Sequence, residues 1–127
     1  NDGCLISFKH TKFELDSSIY IAQYNELVPV DSSDETDHRR FRKDNIGMIV
    51  VLKSIFNPKL RIVAATTHLY WNPNFEDVKL FQTASFLNSI QWVIDKHQLT
   101  NYKVIIGGDF NSEPHSDVYQ LIVNAFV

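Results

Sequence analysis

One cysteine, one methionine, four glycines and four prolines among 127 residues rule out several kinds of protein at once. With Cys4 alone, no intrachain disulfide can form and no cysteine-rich zinc site can assemble. A lone cysteine fits a reducing compartment, so an intracellular location, cytoplasmic or nuclear, is expected. No apolar run approaches the ~18 residues that span a bilayer, and no membrane role is expected. Charge of either sign is also short. The formal net charge is −3 and the pI about 5.9, whereas a domain that grips a long duplex by its phosphates is usually basic. Any nucleic-acid role must therefore rest on a compact site. Asn1-Asp2-Gly3 has neither the basic start nor the apolar stretch of a signal peptide, and no initiating methionine. At the other end the chain runs into the apolar Leu121-Ile122-Val123. Residues 1–127 are expected to be the middle-to-late part of one larger domain, cut at both ends.

Apolar material is plentiful. The chain is 44% hydrophobic and 13% aromatic, which suits a packed core and argues against disorder. Cys4 to Phe8 is a short apolar run read as a strand, with Phe13 to Leu15 as its partner. Ile19 to Val30 mixes residue types and takes no firm assignment. Asp31 to Lys43 reads as a solvated loop, acidic at first (Asp31, Asp34, Glu35, Asp37) and then basic (Arg39, Arg40, Arg42, Lys43). It is not a calcium loop, because Thr36 stands where the central glycine belongs and Arg42 where the closing glutamate belongs. Ile46–Leu52 and Leu60–Thr66 read as a β-hairpin turned at Asn57-Pro58. From Glu76 to His97 the pattern is helical, with Leu80, Ala84, Leu87, Ile90 and Ile94 as one apolar stripe. Val104–Ile106 is a strand ending in Gly107-Gly108, and Ser116 caps a last helix from Asp117 to about Phe126. The order predicts an α/β or α+β fold with layered packing, a sheet flanked by helices. There is no internal repeat, low-complexity tract or domain linker.

Two segments carry chemistry, and each directly follows a predicted strand: Thr66-Thr67-His68-Leu69-Tyr70-Trp71-Asn72-Pro73 and Gly107-Gly108-Asp109-Phe110-Asn111-Ser112. Loops at strand ends are where scaffolds carry function. His68 can donate to a phosphate oxygen or move a proton near neutral pH. Asp109 can bind a divalent metal or orient a water. Asn111 offers a donor and an acceptor without charge. On an extended segment Asp109 and Asn111 point the same way and Phe110 into the core. Taken singly, a histidine after a strand is more often structural, and Asp-x-Asn after two glycines more often a turn. Trp92 and Phe86 read as packing residues. His10, His38, His97 and His115 show no partner pattern and are expected at the surface.

Thr67-His68-Leu69 followed by Gly108-Asp109-Phe110-Asn111-Ser112 resembles the paired signature of the DNase I-like endonuclease/exonuclease/phosphatase superfamily. Asp2-Gly3 with Cys4 to Phe8, Lys43-Asp44-Asn45-Ile46-Gly47, and His68 to Pro73 with Asp77-Val78-Lys79 and Gln82 resemble its deadenylase-like branch. That branch holds the carbon-catabolite-repressor deadenylases, the Angel proteins and nocturnin. The resemblance covers nearly the whole chain, with its motifs in the family's order.

The resemblance implies part of a four-layer α/β sandwich with a magnesium site, manganese being an alternative ion. It implies that His68 contacts the scissile phosphate. Asp109 positions or activates the water and takes part in the metal site, through water. Asn111 binds the phosphate and orients Asp109. It further implies substrate-binding positions at Pro73, Trp71 and Asn45, the last as structural support. Asn72 departs from the aspartate common in the deadenylases, which bears on substrate preference. The family's upstream asparagine and metal-binding glutamate, and its late aspartate and histidine, have no match here, so the isolated chain is expected to be a poor catalyst. The activity implied is a 3′ exoribonuclease on poly(A) or similar single-stranded RNA, with deadenylase-complex proteins as partners. The alternatives are a same-fold phosphatase on a dinucleotide or inositol phosphate, and a catalytically incomplete interaction module.

Overall fold

The computed structural model describes residues 3–29 and 39–125. Its elements are β1 (Phe13–Leu15), β2 (Tyr20–Gln23), a 3-10 turn (Tyr24–Glu26), β3 (Ile46–Ser54), β4 (Arg61–His68), α1 (Glu76–Lys96), β5 (Tyr102–Asp109) and α2 (Asp117–Asn124). The acidic half of the loop expected over Asp31 to Lys43, and His38 with it, lies outside the described residues.

The β-branched run of β3 is the centre of a mixed sheet. β4 returns antiparallel beside it after the Asn57-Pro58 turn, Gly47 opposite Thr67 and Lys53 opposite Arg61. β1 and β2 pair with opposite ends of β3, both antiparallel. β5 lies parallel to β4. Parallel neighbours need a crossover, and α1 supplies it. Val63, Ala65 and Thr67 alternate along β4 toward the helices and are buried. Val118 of α2 joins the same core. The fold is thus α/β, a mixed sheet flanked by helices.

Three expectations change. Cys4–Phe8 forms no strand, and β1 pairs with β3 instead, Phe13 opposite Ser54. With Leu52, Ile62, Ala64 and Ile105, residues 5–9 line a space of about 520 Å³ beside the sheet, and Leu5 and Phe8 stay exposed.

The buried line of α1 is also turned from the expected stripe. It runs through Val78, Lys79, Gln82, Thr83, Phe86, Ile90 and Val93, with Leu87 and Ile94 beside it, while Leu80 and Ala84 are half-buried. Three polar side chains on that line hid it from a hydrophobic pattern. Finally, His97 is half-buried and shares a 2.7 Å hydrogen bond with the Tyr20 hydroxyl, a pairing across 77 positions. Trp92 is exposed and packs edge-on against the same Tyr20 ring.

Phe86 presses on Gly47 so closely that a Cβ there would stand 2.5 Å from Phe86 Cδ2. Phe86→Ala should therefore cost about 3–5 kcal/mol, measured by urea unfolding. A loss below about 1 kcal/mol would mean that the sheet and α1 do not meet there.

Candidate active site at the ends of two parallel strands

His68 and Asp109 are register partners at the C-terminal ends of β4 and β5. Parallel pairing brings both strand exits to one edge of the sheet, which is why residues 41 positions apart in sequence (68 and 109) meet. His68 Nε2 stands 3.9 Å from Asp109 Oδ2, and the side chains are 36% and 66% exposed. That is beyond hydrogen-bond length, and a phosphate oxygen or a water can address both groups.

Beneath them the backbone is tightly tied. Thr67 Oγ1 donates to Ile46 O at 2.9 Å and lies 2.8 Å from the Tyr24 hydroxyl. Burial pushes the Tyr24 phenol above its usual range, so it stays neutral. Leu69 N–H donates to Asp109 O at 2.9 Å, extending the β4–β5 ladder into the loops.

The segment beyond Asp109 is not extended. Asn111 has φ 45, a left-handed turn. Its main-chain N–H donates to Asp109 Oδ1 at 2.9 Å, and its Nδ2 donates to Leu69 O at 2.9 Å. The expectation that Asp109 and Asn111 point the same way along a strand is thereby replaced by an Asx-type turn, in which the backbone of Asn111 sets the carboxylate. Leu69 takes one of the two side-chain N–H groups, leaving the other for an incoming oxygen. Phe110 packs against the core as expected.

Asn45 is bonded at both ends of its amide, Nδ2 to His68 O at 3.1 Å and Oδ1 from Gln82 Nε2 at 3.2 Å. Gln82 Oε1 accepts Tyr70 N–H at 2.9 Å. Asn45 therefore braces the His68 loop. It also lines a cleft of about 370 Å³ with His68, Tyr70, Trp71, Arg42 and Lys43. Trp71 is 67% exposed at its rim. Lys43 Nζ stands 5.0 Å from the Tyr70 ring centroid. Arg40 makes a bidentate pair with Asp77 at 2.7 and 2.8 Å and lies over the Phe75 ring. Those hydrogen bonds hold the Asp77 carboxyl below the usual carboxylate range. Pro73 faces a second cleft, of about 570 Å³, together with Glu76, Lys79, Asn111 and Ser112.

The structure thus gathers His68, Asp109 and Asn111 at one edge. It sets Trp71 and Asn45 on the His68 side and Pro73 on the Asn111 side. Lys79 and the brace role of Gln82 escaped a reading by residue chemistry, and their only signal was the family-like spacing of Asp77-Val78-Lys79 and Gln82.

Among the described residues no three His, Cys, Asp or Glu side chains converge on one point. Magnesium keeps several waters and takes one or two carboxylates plus phosphate oxygens. Asp109 supplies one such carboxylate, on a side chain that is exposed, and so fits part of a magnesium site.

No family model matches the chain. Over 131 residues it is 33% identical to the "CCR4-Not complex 3′-5′-exoribonuclease subunit Ccr4" of Saccharomyces cerevisiae, covering 95% of this chain and 16% of that protein. It is 35% identical over 127 residues to "Protein angel homolog 2" of Bos taurus, covering 95% and 21%. Among solved structures, ANGEL2, described as a 2′,3′-cyclic phosphatase in complex with adenosine-2′,3′-vanadate, superposes with a TM-score of 0.70 at 33% identity, over 91% of this chain and 30% of that one. The human Nocturnin catalytic domain has the same fold, with a TM-score of 0.70 at 18% identity, over 93% and 37%. The chain spans 16% to 25% of the length of the curated relatives it matches.

Proposed function

We propose a function from one premise: the chain belongs to the endonuclease/exonuclease/phosphatase superfamily, in its Ccr4- and Angel-like branch. The whole protein is a phosphodiester hydrolase that removes nucleotides from the 3′ end of single-stranded RNA, poly(A) being the preferred tract. The observation that carries this reading is the β4–β5 register, which sets His68 beside Asp109 with Asn111 tied to both loops.

In this reading His68 donates to a non-bridging oxygen of the scissile phosphate as charge develops there. Asp109 orients the attacking water and accepts its proton. Asn111 works twice: its backbone holds Asp109, and its remaining side-chain N–H binds the phosphate. Magnesium, with manganese able to replace it, neutralises phosphate charge when bound. Asp109 is the group here that would help hold it, through water, and the remaining ligands come from sequence outside this chain. Pro73 and Trp71 contact bases on the two sides. A single strand suits a net charge of −3, because base stacking replaces a broad basic groove. Ccr4 relatives named as subunits of the CCR4-Not complex support deadenylase-complex partners.

The test is a gel assay of the full-length protein on 5′-labelled oligo(A) with and without Mg²⁺. Stepwise shortening that needs the metal is expected. A well-folded protein that leaves the oligonucleotide intact would sink the reading. The likeness to ANGEL2 favours a second reading, a phosphatase acting on RNA ends. The same assay with a 2′,3′-cyclic phosphate terminus separates the two, since only end-opening without shortening supports the second. Inactivity on both would leave a phosphatase acting on a dinucleotide or inositol phosphate, or an interaction module.

Trp71→Ala is expected to raise KM for oligo(A) about 5- to 150-fold, the equivalent of one lost stacking contact of ~1–3 kcal/mol. kcat should change little. An unchanged KM would remove Trp71 from the binding surface.

A further inference from the structure

Resting on the roles given to Asp109 and Asn111 above, we propose that Lys79 is a positioning residue for their loop, acting through the main chain of Asn111. Its side chain is only 4% exposed, on the face of α1 turned to the sheet. An ammonium withdrawn from water is costly unless it is paired and hydrogen-bonded. Here Glu76 Oε2 lies 2.7 Å away, and the carbonyl oxygen of Asn111 accepts a hydrogen bond at 2.9 Å. Helix propensity and packing would be met equally well by Met or Leu at this position. The charge is thus explained by its acceptor, 32 positions along the chain.

That acceptor is the residue that needs holding. Asn111 sits at φ 45, a conformation that non-glycine residues keep only when their surroundings fix it. Three bonds do so: Lys79 on its carbonyl, Asp109 Oδ1 on its N–H, and Leu69 O on its side chain. Without the ammonium the carbonyl loses its partner, and the residue can relax toward ordinary backbone angles. That rotation draws Nδ2 away from Leu69 and the N–H away from Asp109. Lys79 therefore sets both groups of the loop while presenting almost no surface to a substrate. One turn further on, Gln82 holds Tyr70 and Asn45 on the His68 side. The first two turns of α1 fix the two loops against each other.

Lys79→Met keeps the stem and removes the ammonium. The experiment compares wild type, Lys79→Met, Asn111→Ala and the double variant of the full-length protein on oligo(A). Lys79→Met should lower kcat about 10- to 100-fold, as small misplacements of a reacting array do. KM should stay within about threefold. In the Asn111→Ala background the same change should cost clearly less than in the wild type, because the positioned side chain is gone while the main chain that sets Asp109 remains. An equal loss in both backgrounds, or a change in KM alone, overturns the proposal. Lys79→Gln, which keeps a neutral donor one bond shorter, serves if Lys79→Met does not fold. It should show a smaller loss confined to kcat, and no loss overturns the proposal. A second readout does not depend on turnover. In the ¹⁵N-labelled full-length protein, the Asn111 side-chain resonances should move toward solvent-exposed positions in the variant. Unmoved resonances defeat the positioning role. Moved resonances in a protein that never degrades RNA support that role and defeat only the RNA reading.

Discussion

Asp109→Ala in the full-length protein is expected to lower metal-dependent hydrolysis of oligo(A) by roughly 10²–10⁴-fold, the usual loss when a positioned proton acceptor is removed. The fold should survive. Asp109 is 66% exposed, and its side chain accepts one hydrogen bond, from Asn111 N–H. Removing that acceptor costs about 1 kcal/mol, small beside a typical stability of roughly 5–15 kcal/mol. Activity and stability are therefore predicted to separate. Asp109→Asn sharpens the test, since it keeps an acceptor for Asn111 N–H and removes the charge. If the carboxylate acts on the water or the metal, Asn should be nearly as slow as Ala. If Asp109 only shapes the turn, Asn should be nearly as fast as wild type. Matched rates across wild type, Ala and Asn, at equal thermal midpoints, would remove Asp109 from the chemistry.

How much of this was legible beforehand depended on whether a residue's role was local. β3, β4 and α1 announce themselves through β-branched runs and a long helical pattern, and the hairpin through Asn57-Pro58. The convergence of His68 and Asp109 follows from strand–helix–strand order, because a crossover helix returns the chain to a parallel neighbour. Ser116 caps α2 as its position suggested, accepting Tyr119 N–H at 3.2 Å. What stayed hidden is polar and long-range. Lys79 and Gln82 look like solvent-facing helix residues until the loops they hold are placed against them. His97 gives no sign of Tyr20. Cys4–Phe8 has the composition of a strand, yet composition does not distinguish a segment paired in a ladder from one that runs beside the sheet unpaired. The turn at Asn111 was misread for a related reason: alternation along an extended strand is the default, and only the bonds to Asp109, Leu69 and Lys79 overrule it.

The other large effect belongs to Gly108, one residue before Asp109. Its φ of 140 lies where side-chain-bearing residues rarely go. The space is closed as well: a Cβ at this position would collide with the carbonyl oxygen of Thr67, its register partner on β4. Neither problem can be relieved by a rotamer change, because the obstacle is backbone inside a hydrogen-bonded ladder. Backbone strain of this kind costs about 1–3 kcal/mol, and parting the strands to admit a methyl group adds an overpacking cost of similar size, about 1–3 kcal/mol. Gly108→Ala should therefore lose about 2–6 kcal/mol, read by denaturant unfolding of the full-length protein. Activity should fall too, since the strands would part where His68 and Asp109 leave them. Gly107→Ala is the control. Among the described residues no heavy atom beyond its chain neighbours lies within 4 Å of a Cβ built at Gly107, so that variant should stay within about 1 kcal/mol of wild type. Equal stability of the two variants would mean that β4 and β5 do not approach as closely at Thr67 and Gly108 as described, and the pairing of His68 with Asp109 would fall with it.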